Sequence, residues 1–231
     1  MDIAWTSALG ARSTMSSSSD GSDTSSKTHW DAVYESRSPT ELSWYQPKPT
    51  RSLELLDQLG LASSTAIIDV GGGTSTLVDA LLDRGLTSIA VLDISHAALE
   101  HAKTRLGARA ASVEWIESDV TRANLGAAAR YDMWHDRAVF HFLTSQEDRR
   151  LYVAAATRAL RPGGIALIAT FSPNGPTRCS GLDVVRYDSA HLARELGSGF
   201  SLERSVDELH HTPAGVVQPF TYTVLRRQQS A

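Results

Sequence analysis

Asp69-Val70-Gly71-Gly72-Gly73-Thr74-Ser75 carries the clearest chemistry in this sequence. Three adjacent glycines after a short apolar run let the backbone approach a ligand closely at the start of the next helix, where unpaired N–H groups point outward. Asp93 follows about 22 residues after Gly71, where an acidic side chain ending the next strand can accept hydrogen bonds from both hydroxyls of a ribose. Asp119, within Glu117-Ser118-Asp119-Val120, ends the strand after that. Each feature has a plainer reading, the glycines as a tight turn and the two aspartates as helix caps. Taken together they set polar groups on successive strand ends along one crevice, a nucleotide-type site. Thr76 stands where a dinucleotide fingerprint needs its third glycine, which weakens a pyrophosphate reading, and no Gly-Lys-Ser/Thr follows to make a phosphate loop.

Strand ends need a sheet to hold them, and the hydrophobic periodicity supplies one. Leu53–Leu61, Thr76–Arg84, Ala97–Leu106 and Gln146–Leu160 read as helices; Ala66–Val70, Ser88–Asp93, Ser112–Ile116, Tyr131–His135 and Gly164–Phe171 read as short buried strands. Such alternation predicts an α/β fold with a parallel sheet covered on both faces. Phe200–Val206 and Val217–Leu225, joined through Thr212-Pro213-Ala214-Gly215, predict an antiparallel pair closing one edge. The serine-dominated stretch within residues 1–28 is too poor in apolar groups to offset its ordering entropy and is expected to be a disordered tail, leaving 29–231 as one domain.

Composition narrows the function classes. The 231 residues carry 22 basic and 26 acidic side chains, a formal charge of −4, so there is no global basic footprint for nucleic acid. A single cysteine, Cys179, excludes an intrachain disulfide and any multi-thiolate metal site, and no resident metal is expected. No run approaches the ~18 apolar residues that would span a bilayer, and no signal-peptide core precedes the domain, so a cytoplasmic address is expected.

Asp69-Val70-Gly71-Gly72-Gly73, Val91-Leu92-Asp93-Ile94-Ser95, Ser118-Asp119-Val120 and Leu160-Arg161-Pro162-Gly163-Gly164 resemble, in order, the motifs of class I S-adenosylmethionine-dependent methyltransferases. The resemblance runs from about His29 to the C-terminus. It implies a Rossmann-like, seven-stranded, doubly wound sheet with a C-terminal antiparallel hairpin, and S-adenosyl-L-methionine as cofactor. By resemblance the glycine loop lies beneath the methionine part, Asp93 and Ile94 at the ribose, and Asp119 and Val120 near the adenine. Ser75 departs from the alternating Gly-x-Gly-x-Gly of many members, and its small size is expected to be tolerated.

The fourth strand runs into Trp134-His135-Asp136-Arg137-Ala138, similar to the Trp-Asp-Arg-Gly-Ala stretch of thiopurine and thiol S-methyltransferases, with His135 as an insertion. His135, Asp136 and Arg137 are therefore the candidate catalytic residues, His135 doubling as a cofactor contact, and Arg137 would suit an anionic acceptor. His141 reads either as a base or as a core histidine. His29-Trp30-Asp31-Ala32-Val33-Tyr34 and Ser43-Trp44-Tyr45-Gln46 resemble an aromatic N-terminal lid found in that thiol group and in a branch of protein-lysine methyltransferases. Trp30, Tyr34, Trp44 and Tyr45 would then face the sulfonium, a fixed cation that an aromatic face attracts by ~0.5–2 kcal/mol; otherwise they are core covering the sheet edge.

Cys179, in the loop after the fifth strand, lacks an evident partner base and reads as structural, with the loop shaping an acceptor site. His210 and His211 fall on opposite faces of an extended chain, which disfavours joint metal ligation. The function these observations support is methyl transfer from S-adenosylmethionine to a small-molecule S, N or O acceptor. A protein-lysine N-methyltransferase and a non-catalytic or dinucleotide-binding Rossmann-like protein are the alternatives.

Overall fold

The computed structural model describes residues 20–229, and the expected disorder over residues 1–19 lies outside them. Its core is a seven-stranded sheet. In chain order the strands of that sheet are β1 (Ala66–Val70), β2 (Ser88–Asp93), β3 (Val113–Glu117), β4 (Tyr131–Arg137), β5 (Leu160–Phe171), β8 (Phe200–His211) and β9 (Val217–Arg227), and β6 (Arg178–Cys179) with β7 (Leu182–Asp183) forms a separate small hairpin. The spatial order is β3-β2-β1-β4-β5-β9-β8; β1 to β5 run parallel, and β9 is antiparallel to both β5 and β8.

Side-chain alternation along the parallel strands feeds two cores. Ile67, Val91, Met133 and Leu167 face α2 (Thr50–Gln58), α3 (Leu77–Asp83) and α4 (His96–Leu106), while Ile68, Leu92, Trp134 and Ile168 face α5 (Gln146–Ala159) and α6 (Ser189–Leu196). The strand order reverses between β1 and β4, so their C-terminal ends diverge into the crevice where a doubly wound sheet receives its ligand.

Three local features depart from the sequence reading. Helix α1 (Asp20–Ser36) starts well before His29, so residues 20–28 are helical and the expected tail does not extend to 28. Lys27 on this helix bridges Asp31 (3.0 Å) and Glu117 at the end of β3 (2.8 Å), tertiary contacts that composition cannot reveal. The short α6 and the β6–β7 hairpin also had no clear signal, since each presents only one or two buried side chains. β5 begins at Leu160, extending four residues back through the Arg161-Pro162-Gly163 segment that reads as a stop signal.

Candidate active site

The crevice floor is the turn after β1. Gly71 has φ 66°, and a Cβ there would lie 2.0 Å from Val139 Cγ2, so only glycine admits both the left-handed turn and the approach of the β4 loop. A Cβ on Gly73 would lie 2.6 Å from Asp93 Oδ2 and 3.0 Å from Ala98 Cβ; the bare backbone lets β2 bring its carboxylate against the loop. Ser75 has a use of its own, because its Oγ accepts the N–H of Leu77 (3.1 Å) and satisfies a free donor in the first turn of α3.

Around this floor lies a cavity of about 240 Å³ bordered by Gly71, Asp93, Ile94, Asp119 and Val120 on the strand-end side. Asp93 is buried, and its Oδ1 accepts the N–H of Ser95 (2.9 Å). Asp119 Oδ1 accepts the N–H and hydroxyl of Thr121, both at 2.7 Å, so the carboxylate is braced by the following turn. Asp69 has one oxygen bound to His135 and the other, Oδ2, buried with no hydrogen-bond partner among the described residues.

Burial pushes the Asp93 carboxyl up to about 7; N–H groups of Ser95 and Gly73 oppose the shift and the neighbouring Asp69 adds to it. Only the anion accepts from two ribose hydroxyls. Affinity for an adenosyl ligand should therefore fall as pH drops through about 7, approaching tenfold per pH unit below it. The raised value has the opposite sign for the ligand-free chain: this group's share of stability is full below its unfolded value and lost as pH rises through about 7. Calorimetric titration with S-adenosylhomocysteine across that range checks the first statement, and a flat profile contradicts it.

The aromatic side chains close the cavity from above. Trp30, Tyr34 and Trp44 form one cluster, with ring centroids 5.9–6.4 Å apart, and Trp30 also meets Phe142 at 5.0 Å. All four border the cavity or its walls. Tyr45 instead borders a smaller space of about 40 Å³ beneath the glycine loop, beside Ser52, Asp69 and His135.

Helix α1 is latched over the crevice through Asp31, which accepts from Ser95 Oγ (2.7 Å) and from the Ala97 N–H (3.3 Å) at the start of α4. Burial alone would raise the Asp31 carboxyl, but the bonds from Ser95, Lys27 and Ala97 hold it below the ordinary aspartate value. Asp31→Ala should release the latch and speed S-adenosylhomocysteine dissociation by about three- to tenfold, the worth of roughly one ordinary hydrogen bond at a partly exposed position. Stopped-flow tryptophan fluorescence measures this rate, and an unchanged value contradicts the latch.

The three catalytic candidates do not share the crevice. His135 is buried below the glycine loop with Nδ1 bonded to Asp69 (2.7 Å) and Nε2 to Ser52 Oγ (2.9 Å). Asp136 points to the opposite face, where its oxygens accept from the Val139 N–H (2.9 Å), the Phe140 N–H (3.1 Å) and the Tyr152 hydroxyl (2.6 Å). Both side chains have their polar atoms engaged within the fold and neither borders the larger cavity, in contrast to the expectation that they face the reacting end of the cofactor. Arg137 returns to the crevice side, but its guanidinium donates to Tyr222 and to the Trp44 carbonyl.

His141 is core: Nδ1 accepts from the Phe171 N–H (3.2 Å), and burial pushes the ring down to about 3, with Arg137 adding to the effect. Cys179 reaches the cavity wall, where burial lifts its thiol to about 11, so it is no nucleophile at neutral pH. Wall residues that the sequence reading did not single out are Val139, Phe142, Leu143 and Leu182.

These features converge on a Rossmann-like methyl-transfer crevice. Residues 67–164 match the family model described as "Methyltransferase domain". N-methyltransferase NodS from Bradyrhizobium japonicum WM9 with S-adenosyl-l-homocysteine superposes with a TM-score of 0.66 at 14% identity, covering 86% of this chain and 98% of that one. Burkholderia thailandensis 1,6-didemethyltoxoflavin-N1-methyltransferase, with 1,6-didemethyltoxoflavin and S-adenosylhomocysteine bound, gives 0.64 at 18% identity over 89% and 85% of the two chains. A structure from work on the conversion of a disulfide bond into a thioacetal group during echinomycin biosynthesis gives 0.70 at 24% identity over 89% and 94%. No curated protein matches by sequence. Residues 67–164 therefore carry a methyltransferase domain, and this match together with the shared fold supports an enzyme that uses S-adenosylmethionine.

The residues fit that cofactor chemically. Asp69 Oδ2, a buried acceptor without a partner among the described residues, suits an ammonium; the Asp93 carboxyl at the cavity border suits a ribose edge; and three aromatic rings suit a sulfonium.

Proposed function

We propose that this chain methylates a small-molecule S, N or O acceptor. The observation that carries the reading is the roof over the crevice: α1 and the Trp44 segment lie over a cavity of about 240 Å³, to be shared by cofactor and acceptor, whose lining sets Phe142, Leu143 and Leu182 beside Arg137 and Asp148. Such a space fits a compact acceptor better than an extended peptide. The 1,6-didemethyltoxoflavin-N1-methyltransferase, similar in fold and holding 1,6-didemethyltoxoflavin, is consistent with it.

S-adenosylmethionine supplies an electrophilic methyl group on sulfur that needs no further activation. In this reading Asp93 holds the ribose, Asp119 the adenine side and Asp69 the ammonium, while the glycine loop gives the backbone access that these contacts need. Trp30, Tyr34 and Trp44 exclude water and favour the cation. Because that charge disappears during transfer, the aromatic contacts act on affinity more than on rate.

Orientation of the acceptor behind the methyl carbon does most of the remaining work, an effect worth up to ~7–11 kcal/mol. His135, Asp136 and His141 are bound within the fold and offer no base to the acceptor. Acceptors with a lone pair free at neutral pH, thiolates and unprotonated nitrogens, therefore suit the site ahead of alcohols. A labelled-methyl screen over thiols, heteroaromatic amines, phenols and cell protein tests the proposal. Label on small thiols or amines supports it; label confined to protein overturns it in favour of a lysine acceptor.

A further inference from the structure

The segment that carries Trp44 is gripped at its backbone carbonyls by side chains from three separate elements. His210 on β8 donates from Nε2 to the Ser43 carbonyl (2.7 Å), Arg137 at the end of β4 donates from Nη1 to the Trp44 carbonyl (3.1 Å), and Thr76 before α3 donates from Oγ1 to the Gln46 carbonyl (3.0 Å). An irregular segment held this way cannot slide, yet its side chains stay free to form a wall.

Arg137 is itself held on several sides. Nε donates to the Tyr222 hydroxyl (3.0 Å), which in turn donates to Glu208 (3.1 Å); the guanidinium lies 4.6 Å from the centre of the Phe220 ring; and Glu208 stands 3.9 Å from Nη2. The Arg137 and Glu208 side chains are only 10% and 16% exposed. Nε and Nη1 are turned to the fold, which sets them for positioning, while Nη2 is buried without a hydrogen-bond partner among the described residues. Helix α1, the other half of the roof, is tied by Lys27 and Glu117, side chains about 39–40% exposed, and by the Asp31 latch.

The geometry points to Arg137 and His210 as positioning residues that act through Trp44, with Glu208 orienting Arg137, so that the Trp44 wall stays fixed while α1 moves to admit the cofactor. The inference rests on the methyltransferase reading of the crevice and assigns to Arg137 a task other than contact with the acceptor. Fixing one wall and moving the other would set acceptor fit independently of cofactor exchange.

The test is ¹⁹F NMR of the full chain labelled with 5-fluorotryptophan, using S-adenosylhomocysteine as the probe ligand and assigning Trp44 by its loss in Trp44→Phe. The unsubstituted chain should show one narrow Trp44 resonance with and without ligand. His210→Ala and Arg137→Lys should broaden or split it and weaken S-adenosylhomocysteine binding several-fold, and His210→Gln, which keeps an N–H donor, should restore the single resonance. Trp115 and Trp134 report on the fold; if Arg137→Lys disturbs them, His210→Ala and Glu208→Gln decide. A narrow Trp44 resonance in His210→Ala and Glu208→Gln, or a broad one in the unsubstituted chain, overturns the inference. If the ligand moves no tryptophan resonance, the cofactor reading fails, while the Trp44 linewidth still decides the positioning role.

Discussion

Asp93→Ala should reduce S-adenosylmethionine affinity by about 10²–10⁴-fold, the loss of two hydrogen bonds to a charged acceptor at roughly 1.5–3 kcal/mol each. The carboxylate ends β2 against the Gly73 backbone, where no other described side chain is placed to substitute for it. Asp93→Asn keeps the shape and one acceptor, so its loss should be smaller. The fold should survive, because the substitution removes a carboxyl that burial already pushes up to about 7 and leaves two N–H groups, those of Ser95 and Gly73, to find other partners. Calorimetry on the two variants measures the effect, and affinity unchanged in Asp93→Ala would remove the ribose contact from the assignment.

Asp136→Ala should act on the fold first. It strips the acceptor from the Val139 and Phe140 N–H groups and the Tyr152 hydroxyl, three donors in a fully buried place, at a cost of about 3–5 kcal/mol. That is a large share of the ~5–15 kcal/mol that keeps a domain folded. The same bonds hold the turn in which Ala138 has φ 75° and Val139 sits over Gly71, so cofactor affinity should fall along with stability. Burial raises the Asp136 carboxyl to about 6 against the bonds from Tyr152 and Val139. The stability linked to that shift is therefore full below its unfolded value and lost as pH rises through about 6. Urea unfolding of the variant checks the cost. Unchanged stability with turnover alone abolished would return Asp136 to the chemistry.

How much could be read in advance follows from where the information lies. The strands from β1 to β3 and their polar ends were legible, because Ala66–Val70 and Ser88–Asp93 are short apolar runs and the glycines and aspartates close each one. The separation of His135 from Asp136 follows from strand alternation: consecutive residues of β4 face opposite sides, so His135 meets Ser52 of α2 and Asp136 meets Tyr152 of α5, while Arg137 returns to the crevice side. The pairing of His135 with Asp69 also needs the β1–β4 register, in which the two residues are opposite each other, and a single sequence does not reveal register. Helix α1 was underestimated because its early residues are polar and serine-rich; the Lys27–Glu117 bridge that helps seat it joins positions 90 residues apart, by subtraction of their numbers. The carbonyl grip on residues 43–46 has no local signature at all, since His210, Arg137 and Thr76 come from distant parts of the chain.

Calorimetric titration of the purified chain with S-adenosylmethionine, and separately with NAD, reports most directly on what the strand ends grip. One equivalent of the methyl donor should bind, with no measurable heat from the dinucleotide. Binding of NAD alone, or silence with both, would contradict the methyl-transfer crevice.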